Sequence, residues 1–170
     1  MNSRSTFTFR AAEKTDLDAI NSIYNYEVLN GTATFDTKER SFEKAFEWFS
    51  SHNTKSHLIE VCTDDMGRVI AYCSLSSYRD KDAFDTTAEI SIYVDAKHQK
   101  KGIGYMLCKR MLDHAKSTGC LKNIIAVITS DNTTSIKLFK KLGFTFGGTI
   151  ECAGIKFNKE LGITNFYKIL

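Results

Sequence analysis

The hydrophobic pattern begins as a two-residue alternation, Phe7, Phe9 and Ala11 against Thr8 and Arg10, which predicts a strand over residues 6–11. The period then changes. Leu17, Ile20, Ile23, Tyr24 and Val28 recur at helical spacing, with Thr15 as the expected N-cap, Asp18 as its acidic partner, and Asn30 and Gly31 as the stop. Ser41 is expected to cap a second helix carrying Phe42, Ala45, Phe46 and Phe49. Residues 57–63 and 69–78 read as strands joined through Asp64-Asp65-Met66-Gly67, hence a hairpin. Residues 88–94 form another strand, and 102–117 a helix with Ile103, Met106, Leu107, Met111 and Ala115 on one side. Residues 124–129 are a continuous apolar run, as expected of a strand covered on both faces. A helix over 133–142 is stopped by Gly143, and 144–150 and 165–169 read as closing strands. The order β-α-α-β-β-β-α-β-α-β-β predicts an α/β fold, a mixed sheet with helices on both faces.

No linker, repeat or low-complexity segment divides the chain, so residues 1–170 are expected to form one domain. An apolar content of 42% supplies a core, and disorder is excluded by composition. The net charge of +3, from 23 basic and 20 acidic residues, is too mild for a nucleic-acid partner. One basic stretch, Lys97 to Lys101, suggests a local anionic ligand. The polar start, residues 1–9, lacks the apolar segment of a secretory signal, and no apolar run approaches the ~20 residues of a membrane helix. A cytoplasmic location without membrane contact is therefore expected. The five cysteines are odd in number and lack CxxC spacing, and the four histidines lack ligand spacing, so neither a disulfide framework nor a metal is expected. The cysteines read as small buried hydrophobes in a reducing compartment. Proline is absent, which leaves the turns to glycine and to Asx, Ser and Thr residues.

The chemistry concentrates in Tyr93-Val94-Asp95-Ala96-Lys97-His98-Gln99-Lys100-Lys101-Gly102-Ile103-Gly104-Tyr105. A strand ends, a basic loop follows, and two glycines open a helix. The unpaired N–H groups at a helix start carry partial positive charge and suit a pyrophosphate, which glycine allows to come close. A Walker A loop is absent, and Leu107 stands where a dinucleotide fingerprint needs its third glycine. What remains is Gln99-x-x-Gly102-x-Gly104, which resembles the pyrophosphate loop of the GNAT acetyltransferase superfamily.

Further along, Asn132-Thr133-Thr134-Ser135-x-x-Leu138-Phe139-x-x-Leu142-Gly143-Phe144 resembles that superfamily's second coenzyme A motif, while Asn132 and Gly143 also suit the start and end of a helix. Three more segments are similar to the phosphinothricin acetyltransferase subgroup: Asn25-Tyr26-Glu27-Val28 with Thr32-Ala33-Thr34-Phe35, then Ala83-Phe84-Asp85-x-Thr87-Ala88-Glu89, then Gly148-Thr149-Ile150-x-x-Ala153-Gly154-x-Lys156. The resemblance runs from about Phe9 to Lys156. It implies the GNAT fold, with a splayed mixed sheet and acetyl-coenzyme A in the cleft between two parallel strands. It also implies direct transfer to the α-amino group of an amino-acid-like substrate, and a homodimer. The cofactor residues it implies are Ile92, Tyr93, Val94, Gln99, Lys100, Lys101, Gly102, Ile103, Gly104, Tyr105, Asn132, Ser135 and Phe139. This chain departs from the subgroup at Phe139, where tyrosine or histidine is usual, at Thr86, where an aromatic residue is common, and at Lys81, which matches an arginine. Glu160 and Gly162 stand where an aromatic residue and an aspartate are usual.

Amide formation from a thioester needs an unprotonated amine, and Glu89 is the candidate base, acting directly or through water. Alternation places it with Ser91 and Tyr93, opposite Ile90, Ile92 and Val94. A backbone N–H near Val94 is the candidate carbonyl polariser. Phe139 cannot donate a proton. The departing thiolate, with a thiol pKa near ~8.5, either leaves unaided or takes a proton from Tyr105 or water. Phe35, Tyr78, Lys81, Phe84 and Lys156 are candidate substrate-binding residues, the two lysines as partners for a carboxylate. A cysteine acyl-enzyme through Cys108 is less favoured, because Cys108 lies more than a turn inside its helix. Three functions compete: acetylation of a small amino acid analogue such as phosphinothricin, methionine sulfoximine or methionine sulfone; acetylation of a polyamine or protein N-terminus; and coenzyme A sensing without turnover.

Overall fold

The computed structural model describes residues 7–52 and 55–170, so Thr6 of the expected first strand lies outside the described residues. The elements are β1 Thr8–Ala11, α1 Leu17–Asn30, α2 Phe42–Ser50, β2 Ile59–Thr63, β3 Val69–Ser77, β4 Thr87–Val94, α3 Ile103–Thr118, β5 Asn123–Thr129, α4 Thr133–Lys141, β6 Thr145–Lys156 and β7 Lys159–Ile169. Their order is the expected one. The strands form one sheet in the order β1-β2-β3-β4-β5-β7-β6. Every neighbouring pair is antiparallel except β4 and β5, which run parallel.

Each face of the sheet carries its own core. On one, α3 and α4 place Ile103, Leu107, Met111 and Phe139 against Ala71, Cys73, Ile90 and Ile124. On the other, Leu17, Ile20 and Ile23 of α1 and Ala45 and Phe49 of α2 cover Ile59, Val61 and Tyr72. Of the apolar residues that α2 carries, Ala45 and Phe49 are buried, while Phe42 and Phe46 are exposed. The run in β5 is fully covered on one face only. Ile124, Ala126 and Ile128 are buried, while Ile125 and Val127 are half-buried, because that second face borders a cavity lined in part by Val127.

The first helix also starts differently from expectation. Asp16, not Thr15, organises it. The Asp16 carboxylate accepts two bonds from the Arg10 guanidinium, at 2.6 and 2.8 Å, and one from the Glu13 N–H at 2.8 Å. At the other end of the chain, β6 and β7 are longer than their apolar pattern indicates. Register shifts between Phe146 and Gly148 and between Ile150 and Gly154 break the alternation. The two strands turn over Phe157 and Asn158, both at positive φ (51° and 57°), as a tight two-residue hairpin requires. Cys62, Cys73 and Cys108 are buried as expected, but Cys120 and Cys152 are exposed, and all five are free thiols. No helix among the described residues is long and apolar enough to cross a membrane.

The Arg10–Asp16 pair ties β1 to α1. Burial alone would push the Asp16 carboxyl up, but the bonds from Arg10 and the Glu13 N–H outweigh it and hold the group below its usual range. A lowered carboxylate stabilises the fold fully above its unfolded pKa of ~3.9, and that contribution disappears as pH falls through the folded value. Asp16→Asn is expected to cost about 1–3 kcal/mol at neutral pH. In urea titrations the gap from the parent should narrow below about pH 4.

Candidate active site

Parallel pairing between β4 and β5 lasts only from Thr87–Asn123 to Glu89–Ile125. Beyond that point β4 stays with β3 as far as Val94, and β5 stays with β7 as far as Thr129. The two strands therefore diverge, and a cleft opens at their carboxyl ends, where crossover connections place helix N-termini. The N–H of Asp95 donates to Ile70 O at 2.9 Å, and Val94 is paired with Ala71. Alternation along an antiparallel pair then turns the Val94 N–H and C=O away from β3, towards the side that β5 has left. Gln99 Nε2 reaches this same Val94 carbonyl at 3.4 Å.

The cleft is a groove of about 490 Å³ lined by the end of β4, the loop before α3, and the starts of α3 and α4. Among the expected cofactor residues, Ile92, Tyr93, Val94, Gln99, Lys100, Gly102, Ile103, Gly104, Tyr105, Asn132 and Ser135 all line it. Lys100 and Gly102 are left-handed (φ 61° and 79°) and coil the loop onto the helix start. Gly102 is the N-cap of α3 and offers no side-chain cap, so the first N–H groups of the helix stay free for an anion. The N-terminus of α4 differs: Asn132 caps it, its Oδ1 accepting from the Ser135 N–H at 3.0 Å. The two glycines serve separate needs. Gly102 is required by its φ. A Cβ at Gly104 would stand 3.6 Å from both Ile92 and Leu138, against the floor of the groove.

A second cavity, of about 390 Å³, lies on the α1–α2 side of the same three strands. Its floor is Ser74 and Ser76 of β3, Glu89, Ser91 and Tyr93 of β4, and Val127 and Thr129 of β5. Ser74 faces Ser91 across the ladder, and Ser76 faces Glu89. Tyr24, Phe35, Arg40 and Trp48 line it on the side opposite the sheet. Ala33 and Tyr93 border both cavities, so the two meet there. Burial raises the Glu89 carboxyl above its usual range, which suits a base that gives its proton back. Burial, then the bond to Asp36, pushes the Tyr24 phenol up to about 12, so it stays protonated and donates to Asp36 at 2.5 Å.

Several expected site residues sit elsewhere. Phe139 is buried, with its ring 5.0 Å from that of Phe144 in the core, and Leu138 lines the groove in its place. Lacking a polar atom to hold at the cleft, phenylalanine follows its apolar transfer energy inward. Lys101 is exposed and outside the groove wall, unlike Lys100. The Lys156 ammonium is occupied by two backbone carbonyls, Thr34 O at 2.9 Å and Glu27 O at 3.2 Å. That residue therefore ties the end of α1 and the following loop to the β6–β7 hairpin and faces neither cavity. Tyr78, Lys81 and Phe84 lie in the β3–β4 connection, outside both cavity walls. There the Tyr78 and Phe84 rings meet at 5.6 Å under Arg79, and Lys81 is exposed. Phe35 does reach the second cavity, where it lies against Gly154. A Cβ on Gly154 would come within 2.8 Å of the Phe35 ring.

Sequence reasoning missed His98, Thr32, Asp131 and Leu138 in the groove, and Tyr24, Asp36, Arg40, Trp48, Ser74 and Ser76 in the second cavity. His98 is held by Asp95 at 2.9 Å. Asp131 receives Lys159 at 2.7 Å and the Thr32 hydroxyl at 3.1 Å, and the Lys159 bond, foremost, keeps its carboxyl low. His98 and Leu138 stand inside the two motif segments, Tyr93 to Tyr105 and Asn132 to Phe144, whereas Ser74 and Ser76 left only the alternation Ser74-Leu75-Ser76, which an exposed strand face would show equally.

Residues 20–144 match the acetyltransferase (GNAT) family. The L-methionine sulfoximine/L-methionine sulfone acetyltransferase of Salmonella typhimurium is 34% identical over 158 residues, spanning 92% of this chain and 91% of that protein. The L-amino acid N-acyltransferase of Escherichia coli K12 is 33% identical over 158 residues, spanning 92% and 90%. The crystal structure of a GNAT superfamily phosphinothricin acetyltransferase from Sinorhizobium meliloti in complex with AcCoA superposes with a TM-score of 0.93 at 32% identity, covering 97% of this chain and 89% of that one. The splayed sheet with an anion-receptive helix start at the splay fits an acyltransferase that takes its acyl group from acyl-coenzyme A. The chain belongs to the GNAT acetyltransferase family and stands with its phosphinothricin acetyltransferase-like members.

The floor of the groove is close-packed at Gly104. Gly104→Ala is expected to be tolerated, whereas Gly104→Leu should weaken binding of coenzyme A about 10- to 100-fold, the equivalent of an overpacking cost of ~1–3 kcal/mol. Calorimetric titration checks this, and unchanged affinity for the leucine variant would remove the α3 N-terminus from the site.

Proposed function

We propose that this protein is an acetyl-coenzyme A-dependent N-acetyltransferase that moves the acetyl group directly to the amine of a small amino-acid-like substrate of the phosphinothricin, methionine sulfoximine or methionine sulfone type. The observation that carries the reading is the junction at Ala33 and Tyr93, where a phosphate-receptive groove meets a second cavity holding Glu89. The groove residues fit the donor: free N–H groups at the start of α3 and the Lys100 ammonium for its phosphates, and the half-buried Ile92 and Val94 beside its acyl end. Bound acetyl-coenzyme A supplies an activated acyl thioester.

Within the chain, the roles divide by chemistry. Glu89 takes the proton of the acceptor ammonium, directly or through water, and its raised pKa brings it nearer the working pH. The Val94 N–H faces the cleft without a ladder partner on that side, as a donor aimed at a carbonyl oxygen must. Phe139 is buried and carries no proton, so Tyr105, which lines the groove, or water is left to protonate the departing sulfur where that is needed. The second cavity, at about 390 Å³, is of a size that suits a small acceptor.

We also infer a homodimer. β6 is an edge strand of the sheet, and Phe146, Ile150, Ile155 and Phe157 on it and its turn are 56–68% exposed. A row of large apolar side chains on an open edge suits a second copy of the chain. Sedimentation velocity should give a dimer that Ile155→Lys dissociates. A monomer at micromolar concentration in the parent protein would refute this reading. Five free thiols support a reducing, cytoplasmic setting, which cell fractionation checks.

The decisive assay is thiol release from acetyl-coenzyme A with phosphinothricin, methionine sulfone, spermidine and a short peptide. Fast turnover is expected with one of the two amino acid analogues. A peptide or spermidine with far higher kcat/KM would transfer the function to that class. In the same assay, Glu89→Gln should lower kcat about 10²–10⁴-fold with unchanged affinity for acetyl-coenzyme A. The parent's activity should rise with pH through the raised Glu89 pKa, since only the ionised carboxylate accepts a proton, and that acidic limb should be missing from the variant.

A further inference from the structure

The second cavity holds one cation that the proposed chemistry does not use. Arg40 lies in the connection between α1 and α2 and lines the cavity opposite the sheet. Its guanidinium is fixed on several sides. Nε donates to Asn21 Oδ1 at 2.8 Å, and the Tyr24 and Trp48 rings each pack on the group at 4.5 Å. The Arg40 backbone is fixed as well, because its N–H donates to Asn25 Oδ1 while its carbonyl accepts from the amides of Asn21 and Asn25. Yet Nη2 is buried without any hydrogen-bond partner. Neither carboxylate of the cavity, Asp36 or Glu89, forms an ion pair with it. Asp36 is instead engaged by the Tyr24 hydroxyl.

A buried, unpaired donor on a charged group is costly, and native structures satisfy such groups or keep them for a ligand. With Nε bonded to Asn21 and two aromatic rings 4.5 Å from the guanidinium carbon, Nη2 is a donor left over, and a guanidinium N–H of this kind donates to a carboxylate or phosphinate oxygen. We propose that Arg40 is the anion-recognition residue of the acceptor cavity, so that the enzyme selects amines that also carry an oxyanion, held by Arg40 while the amine lies at Glu89. This rests on the reading of the cavity as the acceptor site. It replaces Lys156, whose ammonium is already taken by Thr34 and Glu27 carbonyls, as the charge partner of the substrate. The oxyanion is either an α-carboxylate or a side-chain phosphinate, and the test separates them.

The test compares kcat/KM for L-methionine sulfone, for its decarboxylated counterpart 3-(methylsulfonyl)propylamine, and for phosphinothricin and its α-carboxamide. With the parent protein, removing every oxyanion should lower kcat/KM about 10- to 100-fold, mainly through KM, as expected for loss of a charge-assisted pair. Arg40→Gln should impose a similar loss on the anionic acceptors and little on the propylamine, so the preference collapses. Arg40→Lys, which keeps the charge but not the fork, should fall between. If phosphinothricin α-carboxamide keeps full efficiency and loses it in Arg40→Gln, the recognised group is the side-chain oxyanion. If it loses efficiency in the parent protein, the group is the α-carboxylate. Turnover of the propylamine as fast as of the acids, or an equal loss on all acceptors in Arg40→Gln, would overturn the assignment and leave the acetyltransferase reading intact. No turnover of any amine would overturn both. Should Arg40→Gln fail to fold, the same comparison of acceptors with Arg40→Lys decides: an unchanged preference for the anionic acceptors would overturn the assignment.

Discussion

The constraint on which this structure turns is the short run of parallel pairing between β4 and β5, which ends at Glu89 and Ile125. A sheet normally satisfies its backbone by continuing the ladder, and unpaired groups in its middle are a cost. Here each strand is held on its outer side, β4 by β3 and β5 by β7, so the inner edges can part without melting the sheet. The backbone groups so released face a groove, and the helices that follow each strand bring two more sets of N–H groups to it. The groove is thus a consequence of pairing that stops early, and both backbone groups and polar side chains line it.

The second cavity has a different origin. One face of β3, β4 and β5 carries Ser74, Ser76, Glu89, Ser91 and Thr129 where a core face would carry aliphatic residues. Such a floor demands partners above it, and the structure supplies aromatic and polar ones. His52 illustrates the support. Its Nδ1 lies 2.6 Å from the Trp48 carbonyl, which can only accept, so Nδ1 carries the proton and Nε2 accepts from the Ser76 hydroxyl at 2.9 Å. Burial, foremost, lowers the pKa of this imidazole and favours that neutral form. Ser76 therefore turns its lone pairs, not its proton, to the cavity, beside Glu89.

The β6–β7 hairpin lines neither cavity but holds residues that do. Lys159 neutralises Asp131 at the groove, Lys156 pins the carbonyls of Glu27 and Thr34, and Gly154 leaves room for the Phe35 ring. The loop between α1 and α2 is thereby stretched between the hairpin and the end of β5, where the Thr129 hydroxyl bonds the Thr32 carbonyl. Residues that resembled substrate contacts in this region act on the loop that forms the cavity wall.

The amino-acid sequence by itself determined the order of elements, the two-faced sheet, the phosphate loop and the family. Each of these is written in local signals: a hydrophobic period, a cap, two glycines after a basic turn. Glu89 was singled out by the resemblance to the family, since by spacing alone it reads as an exposed strand glutamate. Only the tertiary structure decided the second cavity. Arg40 sits in a loop without periodicity, Trp48 is one of several aromatics on α2, and Ser74 and Ser76 look like an exposed alternation. Phe139 and Lys156 went the other way, one into the core and the other onto backbone carbonyls. Which side of a strand meets solvent, and which charge finds a partner, depends on register and packing between segments far apart in the chain, and local sequence carries no record of those contacts.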